Sequence, residues 1–167
     1  DYELCETKAY ENEAYLLFDI PDEYFSPYKY EGFLSEIKTA LFFIDWINER
    51  SEEYILEKYN LAPGDIRSKI EIADWLLYAM QEIGKLFNYP KLEEIAKLRL
   101  RVKHGVKEEL LELISLRGVG RVRARKLYAR GYKTLDDIRK ASIEELASIE
   151  LIGEKIAKRM KEQAYER

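Results

Sequence analysis

Apolar residues recur along the chain at intervals of three and four, which is the spacing of an α-helix. No segment shows a clear two-residue alternation of the kind that predicts a strand. Four prolines, Pro21, Pro27, Pro63 and Pro90, separate the periodic segments, because proline breaks a helix interior. The pattern predicts an all-α protein with a connector over residues 19–30. The predicted helices cover residues 5–18, 30–50, 52–60, 64–88, 91–104, 106–116, 120–130, 134–140, 142–149 and 153–165.

The predicted helix over residues 30–50 is apolar on nearly all sides. A helix of this kind belongs in the middle of a bundle rather than on its surface. We therefore expect a helical bundle over residues 1–104, followed by a second, smaller helical domain over residues 105–167.

Charge divides the chain in the same way. Residues 1–97 carry 10 Lys and Arg against 21 Asp and Glu, whereas residues 98–167 carry 18 against 11. The overall net charge of −4 therefore hides a C-terminal segment with a net charge of +7. A basic module of this kind is typical of a surface that contacts nucleic acid.

A glycine-containing turn lies in the basic segment, where an apolar helix end runs through Gly118-Val119-Gly120 into a new helix. Glycine permits a close approach that a Cβ would block, and N–H groups at a helix N-terminus can bind phosphate. We expect Val119 to pack between the two helices. Six basic residues surround the turn with no acid among them, and they predict DNA contacts that read no sequence. These residues are Arg117, Arg121, Arg123, Arg125, Lys126 and Arg130.

A partial copy of this turn follows at Leu151-Ile-Gly153, with Leu151 in the place of Gly118. Ala124 and Ala157 each stand four positions after the last glycine of their turn. The pair is typical of a tandem helix-hairpin-helix domain, a fold common in DNA-repair proteins. The alternative is that the hairpins only pack against each other or against a partner protein.

The predicted helix over residues 64–88 carries a second candidate feature. Trp75 projects opposite the apolar stripe of that helix, on the face of Ser68, Ile72 and Ala79, with Arg67 and Lys69 one position to either side of Ser68. An exposed tryptophan beside cations suits stacking on a nucleic-acid base, which is worth about 1–3 kcal/mol. The alternative is that this helix is central and buries both faces, which would place Trp75 in the core. The apolar stripe comprises Ile66, Ile70, Ala73, Leu77, Met80 and Phe87.

Four runs carry a resemblance to a known family. They are Phe33-Leu-Ser-Glu-Ile-Lys-Thr-Ala-Leu with Asp45-Trp-Ile-Asn-Glu, Leu61-Ala-Pro-Gly-Asp-Ile-Arg67 with Ala73-Asp-Trp-Leu76, Val102-Lys-His-Gly-Val-Lys-Glu-Glu-Leu-Leu-Glu-Leu113, and Gly120-Arg-Val-Arg-Ala-Arg-Lys-Leu-Tyr128. Together they resemble the last two domains of the archaeal Ski-like superfamily 2 DNA helicases of the Holliday-junction-migration (Hjm) type. The similarity spans nearly the whole chain.

The resemblance implies roles for particular residues. Residues 1–104 would form the "ratchet" bundle, one of whose helices lines the channel for single-stranded DNA, and the remainder would grip the exiting strand. The family's ratchet helix offers an aromatic residue, matched by Trp75, and a basic residue seven positions earlier, where this chain has Ser68. Arg67 or Lys69 is the candidate substitute. The family's Arg-x-Arg feature falls on Arg123 and Arg125.

The function implied by the resemblance is that of an ATP-dependent DNA helicase acting on forked and branched DNA in repair and recombination. The chain has no Gly-x-x-x-x-Gly-Lys-Ser/Thr phosphate loop, so we expect no catalytic residue or cofactor here and assign ATP and Mg²⁺ to motor domains elsewhere in the polypeptide. The expected partners are single-stranded and forked DNA, those motor domains, and replication or repair proteins.

The alternative function is a protein-interaction module of a DNA-repair nuclease, since helix-hairpin-helix pairs also form dimers. Six cations in a buried interface would oppose it, because unpaired charges are expensive to desolvate. His104 is the only histidine and has no Cys or His partner at metal-ligand spacing, so we expect no metal site.

From the composition we expect a cytoplasmic protein. Cys5 is the only cysteine, which is typical of a reducing compartment, and no apolar run approaches the ~20 residues of a membrane span. Many ion-pairing residues beside only four Asn and two Gln resemble the composition of thermophiles. Because the chain begins at Asp1 without a methionine, we expect a fragment of a longer protein. We expect that protein to be associated with the nucleoid.

Overall fold

A computed structural model describes residues 2–166, which form helices and turns without a strand, so the all-α prediction is confirmed. Two short 3₁₀ turns, Glu13–Tyr15 and Glu108–Leu110, accompany the α-helices. The α-helices within the described residues are α1 (Tyr2–Glu11), α2 (Pro27–Ile47), α3 (Glu52–Tyr59), α4 (Pro63–Leu86), α5 (Leu92–His104), α6 (Leu111–Ile114), α7 (Arg121–Ala129), α8 (Leu135–Lys140), α9 (Ile143–Ala147) and α10 (Glu154–Glu166). No helix of this described range is long and apolar enough to cross a membrane.

Several predicted helices are shorter in the structure, two of them by the largest margin. The helix predicted over residues 5–18 ends at Glu11, where the Asn12 side-chain amide donates to the Lys8 carbonyl oxygen at 2.9 Å. An asparagine that bonds the last turn in this way competes with continuation of the helix. The helix predicted over residues 106–116 is a 3₁₀ turn followed by the single turn of α6.

The chain divides into two compact units. The first runs to Trp46 and resumes over Arg50–Ile66, and the second contains Ile47–Glu49 and the chain from Arg67 onward. The predicted domain boundary after residue 104 falls inside the second unit and stays a prediction.

In the first unit, α2 buries a single stripe rather than its whole circumference. The buried positions are spaced by four or a multiple of four, while Ile44 between them is 50% exposed. The prediction of a helix buried all round was therefore wrong within the described residues, because an apolar sequence does not supply neighbours on every side. Asp45 ties α2 to α3, since its Oδ2 accepts from Lys58 Nζ and from the Tyr59 hydroxyl, both at 2.7 Å. The buried residues of α2 are Tyr30, Leu34, Phe42 and Trp46.

In the second unit, α4 and α5 are joined by an ion pair, with Arg99 Nε 2.7 Å from Asp74 Oδ1. The C-terminal helices share one apolar core that draws residues from α6 through α10. Its fully buried members include Val106, Leu110, Leu113, Leu127, Ile138, Leu146 and Met160. This core fixes both glycine-containing turns on the same small scaffold.

Candidate nucleic-acid interface

The first hairpin turn places its three predicted residues in distinct conformations. Gly118 has a φ of +90°, a region that favours glycine, and Gly120 is extended immediately before α7. Val119 is 4% exposed and belongs to the shared core, as the sequence predicted. The first intrahelical bond runs from the Ala124 N–H to the Gly120 carbonyl oxygen at 2.9 Å. The N–H groups of Arg121, Val122 and Arg123 lie before that bond, at the start of a nine-residue helix, where N–H groups have no acceptor within the helix itself.

The second hairpin turn repeats this geometry 33 residues later. Leu151 adopts a φ of +66° at the position equivalent to Gly118, and Ile152 is 1% exposed at the position equivalent to Val119. Ala124 and Ala157 are both fully buried, one against each hairpin. The partial copy detected in the sequence is thus a structural copy, with a leucine in the left-handed conformation that its partner turn gives to glycine.

Three of the six predicted phosphate-contacting cations are engaged inside the unit. Arg125 bonds Glu49 through Nε (2.7 Å) and Nη2 (2.6 Å), and its Nη1 bonds Glu109 at 2.8 Å. Lys126 Nζ lies 2.5 Å from Glu150 Oε2. Arg123 donates to two backbone carbonyl oxygens rather than to a carboxylate. The absence of acids among the cations in sequence did not mean an absence of acids around them in space.

The remaining three cations differ from one another. Arg117 and Arg130 are exposed, and neither has an ion pair among the described residues. Arg121 is half-buried at the first position of α7. The backbone of Arg117 is held in place, because its N–H donates to Gln163 Oε1 at 2.7 Å.

The first turn opens onto a cleft of about 1030 Å³. Arg117, Arg123 and Arg159 bring three guanidinium groups to its lining, with Gly118 and Gly120 contributing backbone. Arg159 comes from α10, and its Nη1 lies 4.0 Å from the point where a Cβ on Gly118 would stand. The cleft thus brings arginine residues beside the turn that begins α7, with Glu166 also in its lining, and cations beside a helix N-terminus are an arrangement that binds phosphate.

His104 also lines the cleft, from the last position of α5. Burial, and next the positive charge of Lys103, lower the pKa of its imidazole, while Asp74 opposes the shift. The imidazole is therefore mostly neutral at pH 7 and contributes polarity rather than charge. Within the described range, no group of three His, Cys, Asp or Glu side chains could hold a metal ion.

Trp75 lies on α4 with 66% of its surface exposed, so the interpretation that it belongs to the core was wrong for the described residues. Lys69 is half-buried, and Arg67 is exposed and pairs with Glu71 one turn further along, at 2.9 Å. The predicted apolar stripe of this helix is only partly buried, because Met80 is 56% exposed and Phe87 beyond the helix is 79% exposed. An amphipathic pattern identifies an apolar face but not whether another element covers it.

The residues that the sequence did not reveal are the acids and the amide that organise the cations. Glu49 lies 76 positions from Arg125, and Gln163 lies 46 positions from Arg117. Glu150 stands next to the second turn and pairs across to the first hairpin's helix. No periodicity or motif marks such long-range partners, so only the fold identifies them.

Comparison with known proteins gives two family matches that together cover most of the chain. A family model described as "Archaeal helicase, domain 4" matches residues 1–105, and one described as "SAM-like Helix-hairpin-helix tandem" matches residues 110–166.

Curated relatives carry the name "ATP-dependent DNA helicase Hel308". The protein of Thermococcus kodakarensis is 46% identical over 89% of this chain and 13% of its own length. That of Methanocella arvoryzae is 43% identical over 94% of this chain and 21% of its own. That of Pyrococcus abyssi is 44% identical over 93% of this chain and 22% of its own. The chain therefore spans between 13% and 22% of the length of these relatives.

Proposed function

Because this chain belongs to the archaeal helicase domain 4 family, we propose that it is the DNA-binding, non-motor region of an ATP-dependent DNA helicase. In this proposal, motor domains elsewhere in the polypeptide bind ATP and Mg²⁺. This chain guides and grips the single strand while forked or branched DNA is unwound during repair and recombination. The relatives' printed name and the tandem hairpin match support the proposal.

The observation that carries the proposal is the first hairpin turn with its cleft. Gly118, Gly120 and Arg123, from the turn and the start of α7, border the same cleft as Arg117 and Arg159. A DNA phosphate at a helix N-terminus accepts hydrogen bonds from backbone N–H groups and is neutralised by such cations without any reading of sequence. In this proposal, Gly118, Val119 and Gly120 shape the turn, and Arg121 and Arg130 extend the basic surface along α7.

Trp75 supplies the second proposed contact. An indole that is 66% exposed on a helix has a free face on which a base can stack, and every base presents such a face. Arg67 lies eight positions and Lys69 six positions before Trp75 on the same helix. In this proposal their side chains contact the DNA phosphates next to the stacked base. These contacts would hold a single strand by its bases and its phosphates at once.

Fluorescence anisotropy with a labelled fork that carries single-stranded arms tests the proposal. We expect binding that weakens linearly in log affinity against log salt, by about 0.7–0.9 for each phosphate contact. Arg117→Ala should reduce this slope by about one contact. Lys29→Ala is the matched control, because Lys29 is an exposed cation on α2. An affinity indifferent to salt, or an equal effect of the two substitutions, would refute the phosphate-contact proposal.

A further inference from the structure

Arg123 bridges the two hairpin turns. Its Nε donates to the Leu151 carbonyl oxygen and its Nη1 donates to the Gly118 carbonyl oxygen, each at 2.8 Å. Gly118 and Leu151 are equivalent residues, since each occupies the left-handed position of its own turn. One guanidinium therefore holds the same carbonyl of both copies.

An arginine suits this task for a geometric reason. Its planar guanidinium presents several N–H donors in a rigid fork, whereas a lysine ammonium is a point charge on a flexible stem. The position of Arg123 in the second hairpin is taken by Ile156, which packs against the shared core. The bridge is thus made once, by the first hairpin, and its partner turn contributes only the acceptor.

Lys126 reinforces the bridge from the same face of α7. It lies three positions after Arg123 and therefore on the neighbouring turn of the helix. Its Nζ pairs at 2.5 Å with Glu150, the residue that precedes Leu151. Two side chains of α7 thus hold the second turn, one through its backbone and one through a carboxylate. Both were predicted from the sequence as phosphate contacts.

We infer that Arg123 is a positioning residue, which fixes the two hairpin turns relative to each other so that both contact phosphates of one DNA molecule. This inference rests on the proposed function and reassigns Arg123 from a phosphate contact to an organiser of the two turns. The physical gain is preorganisation, because a second contact on a rigid body binds at a high effective concentration. The shared core holds both turns on one scaffold, and the bridge fixes the second turn more closely against the first. Loss of the bridge should therefore weaken the contact that the second turn adds.

Lysine substitution separates the two roles. A phosphate contact depends on charge, so Arg123→Lys would keep most of the affinity if Arg123 touched DNA. A bridge depends on the fork, so Arg123→Lys should bind the labelled fork as weakly as Arg123→Ala, about tenfold below the unmodified chain. Arg117 is the matched control, since its side chain is exposed and makes no ion pair among the described residues. There Arg117→Lys should recover most of the affinity that Arg117→Ala loses.

Hydrogen exchange supplies a readout that needs no DNA. The Ile152 N–H donates to the Ile149 carbonyl oxygen at 2.9 Å inside the second turn, and it should exchange faster in Arg123→Lys than in the unmodified chain. Circular dichroism confirms that the lysine variant is folded at the assay temperature. Recovery of affinity to within twofold in Arg123→Lys would overturn the inference. So would faster exchange with unchanged DNA affinity. If the unmodified chain fails to bind DNA, the proposed function fails, while the exchange rate still tests the bridge.

Discussion

Arg125→Ala is expected to destabilise the protein, although the sequence presents Arg125 as a surface cation. Its guanidinium makes two hydrogen bonds to Glu49, whose side chain is only 14% exposed, and a third to Glu109. Glu49 itself has a φ of +67° and also accepts the Lys107 N–H at 3.0 Å. Removal of the guanidinium leaves the Glu49 carboxylate with the Lys107 N–H as its remaining hydrogen-bond donor among the described residues.

The magnitude follows from the burial of the two partners. A hydrogen bond to a charged group contributes about 1.5–3 kcal/mol, and loss of one partner of a buried pair costs about 3–5 kcal/mol. The Arg125 side chain is 35% exposed, so water replaces part of what is lost. We expect a loss of about 2 kcal/mol, which lowers Tm by roughly 4–8 °C in a chain of this length.

The effect should depend on pH in a defined direction. Burial by itself would raise the pKa of the Glu49 carboxyl, but the hydrogen bonds from Arg125 and the Lys107 N–H outweigh it and the pKa is lowered. The pair therefore stabilises the fold above the unfolded pKa of about 4.3 and loses this contribution as pH falls through the lower folded value. The difference in Tm between Arg125→Ala and the unmodified chain should be full at pH 7 and should shrink below about pH 4.

Thermal melts followed by circular dichroism measure this difference. Arg130→Ala is the matched control, because Arg130 is exposed at the end of α7 without an ion pair among the described residues, and it should change stability by less than about 0.5 kcal/mol. Glu49→Gln combined with Arg125→Ala should cost less than the two single changes added together. Equal melting temperatures for Arg125→Ala and Arg130→Ala at pH 7 would contradict the reasoning.

Two further predictions concern residues with contrasting environments. Trp75→Ala should weaken single-strand binding by about 1–3 kcal/mol with little change in Tm, while Trp46→Ala, at a 6% exposed site, should cost about 3–5 kcal/mol of stability. Equal destabilisation by the two changes, measured by denaturant melts, would count against Trp75 as a contact. Leu151→Gly should stabilise the fold by less than about 1 kcal/mol, because relief of the left-handed strain exceeds the entropy lost by glycine. Gly118→Ala should destabilise it by about 1–2 kcal/mol through its positive φ alone, since the nearest heavy atom leaves room for a Cβ. Destabilisation by Leu151→Gly, or stabilisation by Gly118→Ala, in the same melts would show that the two turns are not equivalent.

The sequence predicted what depends on neighbours along the chain. Helical periodicity located the elements, and the echo of Gly118-Val-Gly120 at Leu151-Ile-Gly153 located both turns. Turn geometry is set within a few residues, so a residue pattern is enough to identify it. Leu151 shows the limit of the pattern, because a leucine does not by itself predict the left-handed backbone conformation that this residue adopts.

The environment of the cations could not be predicted in the same way. Arg123, Arg125 and Lys126 look alike in sequence, but their partners in the fold differ. Arg123 donates to two backbone carbonyl oxygens, Arg125 bonds two glutamates, and Lys126 pairs with one. Those partners lie far away in sequence or on another hairpin, and ion pairs of this kind leave no local signal. Charge counting therefore identified the basic surface but overstated how many of its cations are available to DNA.

The most direct test of the central claim is an NMR titration of backbone amides with the forked DNA. If the first turn holds a phosphate, the resonances of Gly118, Gly120, Arg121 and Val122 should shift in a saturable manner, and added salt should reverse the shifts. The amide resonances of α2, in the first unit, serve as the internal reference and should not shift. Saturable shifts of other resonances, without a shift of the first-turn resonances, would contradict the account.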